Sequence, residues 1–204
     1  MNMETSYARV SSMSINTFIF MGCPGAGKGV QSALLSEKLN IPVFSTGNRV
    51  REISKQDHNL GKRIRSVQEA GGLTPYWFAS FLFQEALFAN QGKGIIFEGV
   101  GRKEPEARLF AEVHEWLNSD FRIFNLVVSR ETAFARLVKR GELDGRADDA
   151  PDRIPTRLEL FEKETLPAIE FFRSIGKVVD IDGEGTPEEV SSQIMDYLKQ
   201  HDPA

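Results

Sequence analysis

The chain has 204 residues, 41% of them hydrophobic and 26% charged, which suits one well-buried soluble core. Its formal net charge of -4 leaves no global positive field for nucleic acid or an anionic membrane surface. Cys23 is the only cysteine, which excludes an intramolecular disulfide and argues against a cysteine-based zinc site, and no apolar run reaches the roughly 20 residues that span a bilayer.

Residues 1–14 are polar, carry Glu4 and lack the apolar stretch of a secretory signal; they read as a loose lead-in or an alternative start region before a single domain over 15–204, with a cytoplasmic location as the default expectation. Residues 16–21 form a short apolar run ending in a glycine-rich turn, the pattern of a buried parallel strand. Val30, Ala33 and Leu34 then recur at helical spacing, predicting a helix that ends near Asn40. Residues 41–44 are a second, shorter strand. Segment 45–74 is polar and weakly periodic and reads as a small helical insert. Pro75 opens a helix with Phe78, Phe81, Leu82 and Ala86 on one face. Strands follow at 94–97, 122–128 and 177–181, with a helix through 131–140 between the last two. The closing helix has Thr186 as N-cap, Glu189 three residues on, and Val190, Ile194 and Leu198 inward. Strands alternating with helices predict an α/β domain, an open parallel sheet covered on both faces.

Chemistry is concentrated at Gly22-Cys-Pro-Gly-Ala-Gly27-Lys28, which has the P-loop spacing of glycine, four residues, glycine and lysine. Glycines let the backbone curl so that several N–H groups face one phosphate; the following helix adds its positive end, and the lysine reaches the β and γ oxygens. A strand before and a helix after are the required context, and both are present.

With the P-loop stretch, four motifs stand in line. Phe20 to Gln31 resembles the opening of the adenylate kinase family, G-x-P-G-A-G-K-G-T-Q; Ser45 to Arg51 is similar to its S-T-G-D-x-x-R; Glu98 to Arg102 to its D-G-F-P-R; and Lys139 to Asp149 to its K-R-G-x-x-x-G-R-x-D-D, with Arg157 at the expected distance downstream. The motifs occur in the family's order and cover about residues 16–200. The resemblance implies a P-loop-type five-stranded parallel sheet flanked by helices, with 45–74 as an NMP-binding insert and 141–149 as a short lid. It implies transfer of the γ-phosphoryl group of ATP, with Mg²⁺, to a nucleoside monophosphate, AMP first, by a monomer.

For the sites, the resemblance assigns ATP to Gly25, Ala26, Gly27, Lys28, Gly29, Val30, Arg136, Arg140 and Gly185. It assigns the NMP to Thr46, Arg51, Gly72, Leu73, Thr74, Gly99, Val100, Gly101, Arg102, Glu106, Arg146 and Arg157. Lys28, Arg102, Arg136, Arg146 and Arg157 would carry the transfer, Glu98 would hold Mg²⁺ through water, and Asp148 and Asp149 would orient the lid arginines. Such a reaction brings two polyanions together, so catalysis consists chiefly of positioning and of supplying cations, and guanidinium forks grip phosphate oxygens in pairs.

Departures from the family pattern keep alternatives open. Val30 stands where threonine is usual, Asn48 and Glu98 where aspartate is, and Val100-Gly101 where Phe-Pro is. Glu106 replaces a glutamine that reads the adenine edge. A carboxylate accepts only, which suits guanine's two donors or adenine's amino group alone; Thr46 favours AMP. A GMP or UMP/CMP kinase, or a weakly catalytic nucleotide-binding switch, therefore stands beside the AMP reading. His58 and His114 are expected at the surface, Trp77, Phe78, Phe81, Phe83 and Phe88 in packing, and Cys23 as a small filler.

Overall fold

The apolar run after residue 14 forms β1 (Ile15–Gly22), the centre of a five-stranded sheet with β2 (Val43–Ser45), β3 (Ile95–Glu98), β4 (Asp120–Val127) and β5 (Val178–Asp182). All pairings are parallel, in the order β2-β3-β1-β4-β5. The structure is a computed structural model that describes residues 15–70, 72–90, 92–144 and 149–201. The lead-in, Arg146 and Asp148 lie outside those residues.

Parallel strands are buried on both faces, and β1 shows how one run serves two cores. Phe18 and Phe20 point to one side, where Leu35 and Leu39 of α1 (Lys28–Leu39) meet Val190, Ile194 and Leu198 of α9 (Pro187–His201). Ile19 and Met21 point to the other. There Phe83 and Leu87 of α4 (Tyr76–Ala89), Phe110 of α5 (Glu104–Trp116) and Phe172 of α8 (Leu166–Ser174) close the second core. Phe110 is its hub, with the rings of Phe83, Phe121 and Phe97 centred 5.0, 5.1 and 5.6 Å away.

The insert is helical, as expected: α2 (Thr46–Ser54) and α3 (Asn59–Glu69) share a small core of Val50, Ile53 and Ile64 with Phe78 and Leu82 of α4. Ser45 and His58 cap these helices, their side chains accepting from the Asn48 and Gly61 amides. α6 (Arg130–Asp144) runs one turn past the expected 140, so residues 141–144 of the expected lid are helix. α7 (Ile154–Leu160), a π-helical turn (Phe161–Thr165) and α8 then form one nearly continuous segment whose periodicity predicted no element.

α1 leaves Val30 and Ala33 exposed and buries Gln31, Ser32, Leu35 and Leu39. Gln31 is satisfied there because its amide donates to the Pro187 carbonyl at 2.8 Å. In α4, Phe78 and Leu82 are buried, but Phe81 is exposed, as are Trp77 and Phe88. His114 is 1% exposed rather than at the surface. It sits one turn after Phe110, stacks on that ring at 4.4 Å and places Nδ1 3.1 Å from the Phe110 carbonyl oxygen. Burial lowers its imidazole to about 4, so it stays neutral.

Phe110→Ala should remove about 3–5 kcal/mol of stability and lower the melting temperature by roughly 10 °C. Trp116→Ala, at an 81% exposed position on the same helix, should change it by no more than about 0.5 kcal/mol. Denaturant titration of both variants separates the hub from the surface.

Candidate active site

The C-terminal ends of the central strands open into a cleft of about 1490 Å³ between the sheet edge, the insert and α6–α7. In an open parallel sheet, the crevice lies where strand order reverses, beside the first strand. Here β3 lies on one flank of β1 and β4 on the other.

The glycine-rich turn after β1 follows from packing as much as from backbone freedom. Gly22 and Gly25 have φ of 126° and 86°, and a Cβ on either would lie 2.5 Å from a backbone oxygen, of Leu126 and Ala133 respectively. α1 starts without a side-chain cap and without an acidic residue of its own in its first turn, so its positive end faces the cleft. Lys28 donates to the Gly22 and Cys23 carbonyls at 2.8 and 2.7 Å. Burial, and next the charge of Arg102, bring its ammonium down to about 7. The Cys23 thiol is pushed up by burial, which fits a filler and not a reactive thiolate.

Arginines converge on this cradle from both sides. Arg51 of α2 donates to Asn48 Oδ1 at 2.5 Å, and Arg102 follows β3. Arg136 and Arg140 share a face of α6. Arg136 donates to the Gly183 and Glu184 carbonyls at 2.9 and 3.3 Å. Arg140 grips both oxygens of Asp149 at 2.6 and 2.8 Å, and Arg157 of α7 binds the same carboxylate. Asp149 has a fully buried side chain. Burial alone would push its carboxyl up; the hydrogen bonds and charges of Arg140 and Arg157 outweigh that and hold it below the usual 3.8. Burial also lowers the Arg102 guanidinium, with Glu98 and Glu106 opposing and the charges of Arg157 and Arg51 adding. Like charges crowded this closely make a site for a polyanion.

The structure brings most expected residues to this one cleft. Gly25, Gly27, Lys28, Gly29, Val30, Thr46, Arg51, Gly72, Leu73, Thr74, Glu98, Gly99, Val100, Arg102, Glu106, Arg136, Arg140 and Arg157 all line it. Ala26 is buried behind the loop, Gly101 is buried, and Gly185 lies in the turn before α9. Arg146 falls outside the described residues. Thr46 Oγ1 is buried on the wall without a hydrogen-bond partner. Glu98 reaches the start of α1, its Oε2 3.6 Å from where a Cβ on Gly29 would be. Glu106 turns its oxygens to the Gly101 and Arg102 amides at 2.9 and 3.2 Å, and burial pushes its carboxyl up to about 7 against those bonds.

Sequence reading missed Arg65, Lys103 and Arg153, which line the same cleft. Arg153 precedes Arg157 by four residues, so the helical spacing that pairs Arg136 with Arg140 would have found it. The Gly183 and Glu184 carbonyls that hold Arg136 are backbone groups and carry no side-chain signal.

No helix among the described residues is long and apolar enough to cross a membrane. Residues 20–177 match the protein-family model described as Adenylate kinase. The adenylate kinase of Leptospira biflexa serovar Patoc is 34% identical over 179 residues, covering 87% of this chain and 96% of that protein. Those of Bifidobacterium longum and Thermus thermophilus are each 33% identical, covering 89% and 86% of this chain and 98% and 93% of their own lengths. Matched by the family model over most of its length and aligned with these relatives almost end to end, the chain belongs to the adenylate kinase family and is a nucleoside monophosphate kinase.

Proposed function

We propose that the chain transfers the γ-phosphoryl group of ATP to AMP, with ATP on the P-loop and α6 side and AMP on the insert side. The observation that carries this reading is the ring of Lys28, Arg51, Arg102, Arg136, Arg140 and Arg157 around one cleft. A single nucleotide needs one cradle; cations arriving from both flanks suit two phosphate chains meeting end to end. Gly25 to Val30, with Lys28, Arg136 and Arg140, take the ATP phosphates, and Gly185 completes the ATP side. Arg51 and Arg102 take the acceptor phosphate, and Thr46, Gly72, Leu73 and Thr74 border the acceptor base.

Arg140, Arg157 and Arg146 serve the migrating group, whose charge spreads over its equatorial oxygens. Asp149 holds the first two as a preset fork, so little reorganisation is left for the moment of transfer. The family works with Mg²⁺ and ATP. Among the described residues no cluster of three or more acidic, histidine or cysteine side chains could form a protein cage for an ion. A lone carboxylate beside the cradle fits Mg²⁺, which keeps several waters and takes phosphate oxygens as ligands. Glu98 would hold it through water, and the ion would supply charge neutralisation between the β and γ phosphates. One chain carries both flanks of the cleft, which supports a monomer; the cytoplasm, where ATP and AMP are at hand, is the matching location.

The reading is tested by coupled assay of ADP formation from ATP with AMP, GMP, CMP and UMP. AMP is expected to be the best acceptor, and turnover confined to another base would overturn the choice. Lys28→Met should lower kcat by about 10²–10³, as loss of one donor to developing charge does.

Asp149→Asn should lower kcat at least roughly tenfold and stability by about 2 kcal/mol, because two guanidiniums lose their shared counter-charge. Since the Asp149 carboxyl is depressed, its contribution is present above pH 3.8 and is lost as pH falls through its lower folded value. The parental protein should therefore show an acid loss of stability there that the Asn variant lacks, as read by thermal melts from pH 5 to pH 2.

A further inference from the structure

Glu106 stands in the first turn of α5 and is 2% exposed. Its two oxygens serve the chain behind it: Oε1 accepts from the Gly101 amide and Oε2 from the Arg102 amide. The Lys103 amide adds a weaker pull. These amides belong to the short connection between β3 and α5, which contains two glycines at positive φ, 81° at Gly99 and 69° at Gly101. Such backbone has few side-chain restraints of its own, so its course depends on what grips it.

Two things grip it. The Phe172 ring closes on Gly101 from the second core, where a Cβ would come within 2.9 Å of it. Glu106 holds the same residue and the next by their N–H groups. Arg102 leaves the backbone at this clamped point, and its guanidinium lies over Gly99, where a Cβ would sit 2.8 Å from Nη2. A carboxylate accepts at both oxygens and so matches two amide donors; a side-chain amide would turn an NH₂ toward one of them.

We propose that Glu106 is a positioning residue for the acceptor phosphate: it clamps the Gly101–Arg102 backbone and thereby aims Arg102, and it does not select the base. The proposal rests on the reading that Arg102 takes the acceptor phosphate. Acting through a phosphate ligand, Glu106 affects every acceptor alike, including one without a base.

The test compares the parental protein with Glu106→Gln and Glu106→Asp at pH 8, where the parental carboxyl is ionised. The readouts are KM for AMP, GMP, CMP, UMP and ATP, inhibition by ribose 5-phosphate competing with AMP, and the melting temperature. Glu106→Gln is expected to raise the AMP KM and the ribose 5-phosphate inhibition constant together by roughly tenfold, the effect of one hydrogen bond to a charged group. The ATP KM should stay within about twofold, and the order of bases should not change. Glu106→Asp, which keeps the charge but loses reach, should fall between, and it supplies the same readout if the Gln variant fails to fold. A changed order of bases with unaltered ribose 5-phosphate inhibition would assign Glu106 to base selection and overturn the clamp. Parental values throughout in an active Gln variant would also overturn it, leaving the kinase reading intact. A parental protein inactive with every acceptor would defeat the kinase reading and this inference together.

Discussion

Everything in the cleft answers to the difficulty of holding cations close together before any phosphate arrives. Five of the six cations of the ring are parked on acceptors: Lys28 on two P-loop carbonyls, Arg51 on Asn48, Arg136 on the Gly183 and Glu184 carbonyls, Arg140 and Arg157 on Asp149. Most of these acceptors are neutral. Neutral dipoles orient a guanidinium without cancelling its charge, so the positive potential survives for an incoming polyanion. Asp149 is the exception, a buried carboxylate shared between Arg140 and Arg157.

The fold makes this crowding possible by distributing the charges among elements already rigid for other reasons. The cradle is the tip of β1, which is packed on both faces by Phe18, Phe20, Ile19 and Met21. Arg136 stands on α6 between Ala133 and Leu137, which are buried against Ile154 and Leu158 of α7; Arg157 lies on that same short helix. Pressing these two helices together sets the distance between their arginines before Asp149 joins them. Val50, Ile53 and Ile64 of the insert share one small core with Phe78 and Leu82 of α4, and Phe44 of β2 packs against it, so Arg51 and Thr46 ride on a unit seated on both α4 and the sheet.

The extent to which this was legible in sequence follows from the range of the interactions. The P-loop, the strands and the closing helix depend on neighbours a few residues away, and their signals were correct in kind and close in boundary. Phe81 is exposed although its face was expected in packing, because periodicity reports an apolar face without saying whether it meets a core or a cleft. Val30 and Ala33 border the cleft, whereas Gln31 is buried through a partner 156 residues away. His114 was misplaced because polarity suggests exposure, while its position one turn after Phe110 turns it inward. The segment 154–174 escaped notice because a π-helical turn at Phe161–Thr165 shifts its register midway, breaking the 3.6-residue pattern.

The two departures at Gly101 and Glu106 make physical sense as one change. Proline has no N–H, and its ring is closed to the φ of 69° that residue 101 adopts. A chain with proline there offers no amide for Glu106 Oε1, and a glutamine at 106 is then free to face elsewhere. Once glycine stands at 101, an extra donor appears in a buried place and must be met. A carboxylate meets it and the Arg102 amide together, at the cost of burying a group whose proton affinity rises to about 7. Transferring a base-reading role to position 106 by alignment therefore carries a function across a site whose hydrogen-bonding partners have been exchanged. The residue number is preserved, but the two oxygens face the backbone that carries Arg102, so the chemistry at this position belongs to the phosphate end of the acceptor.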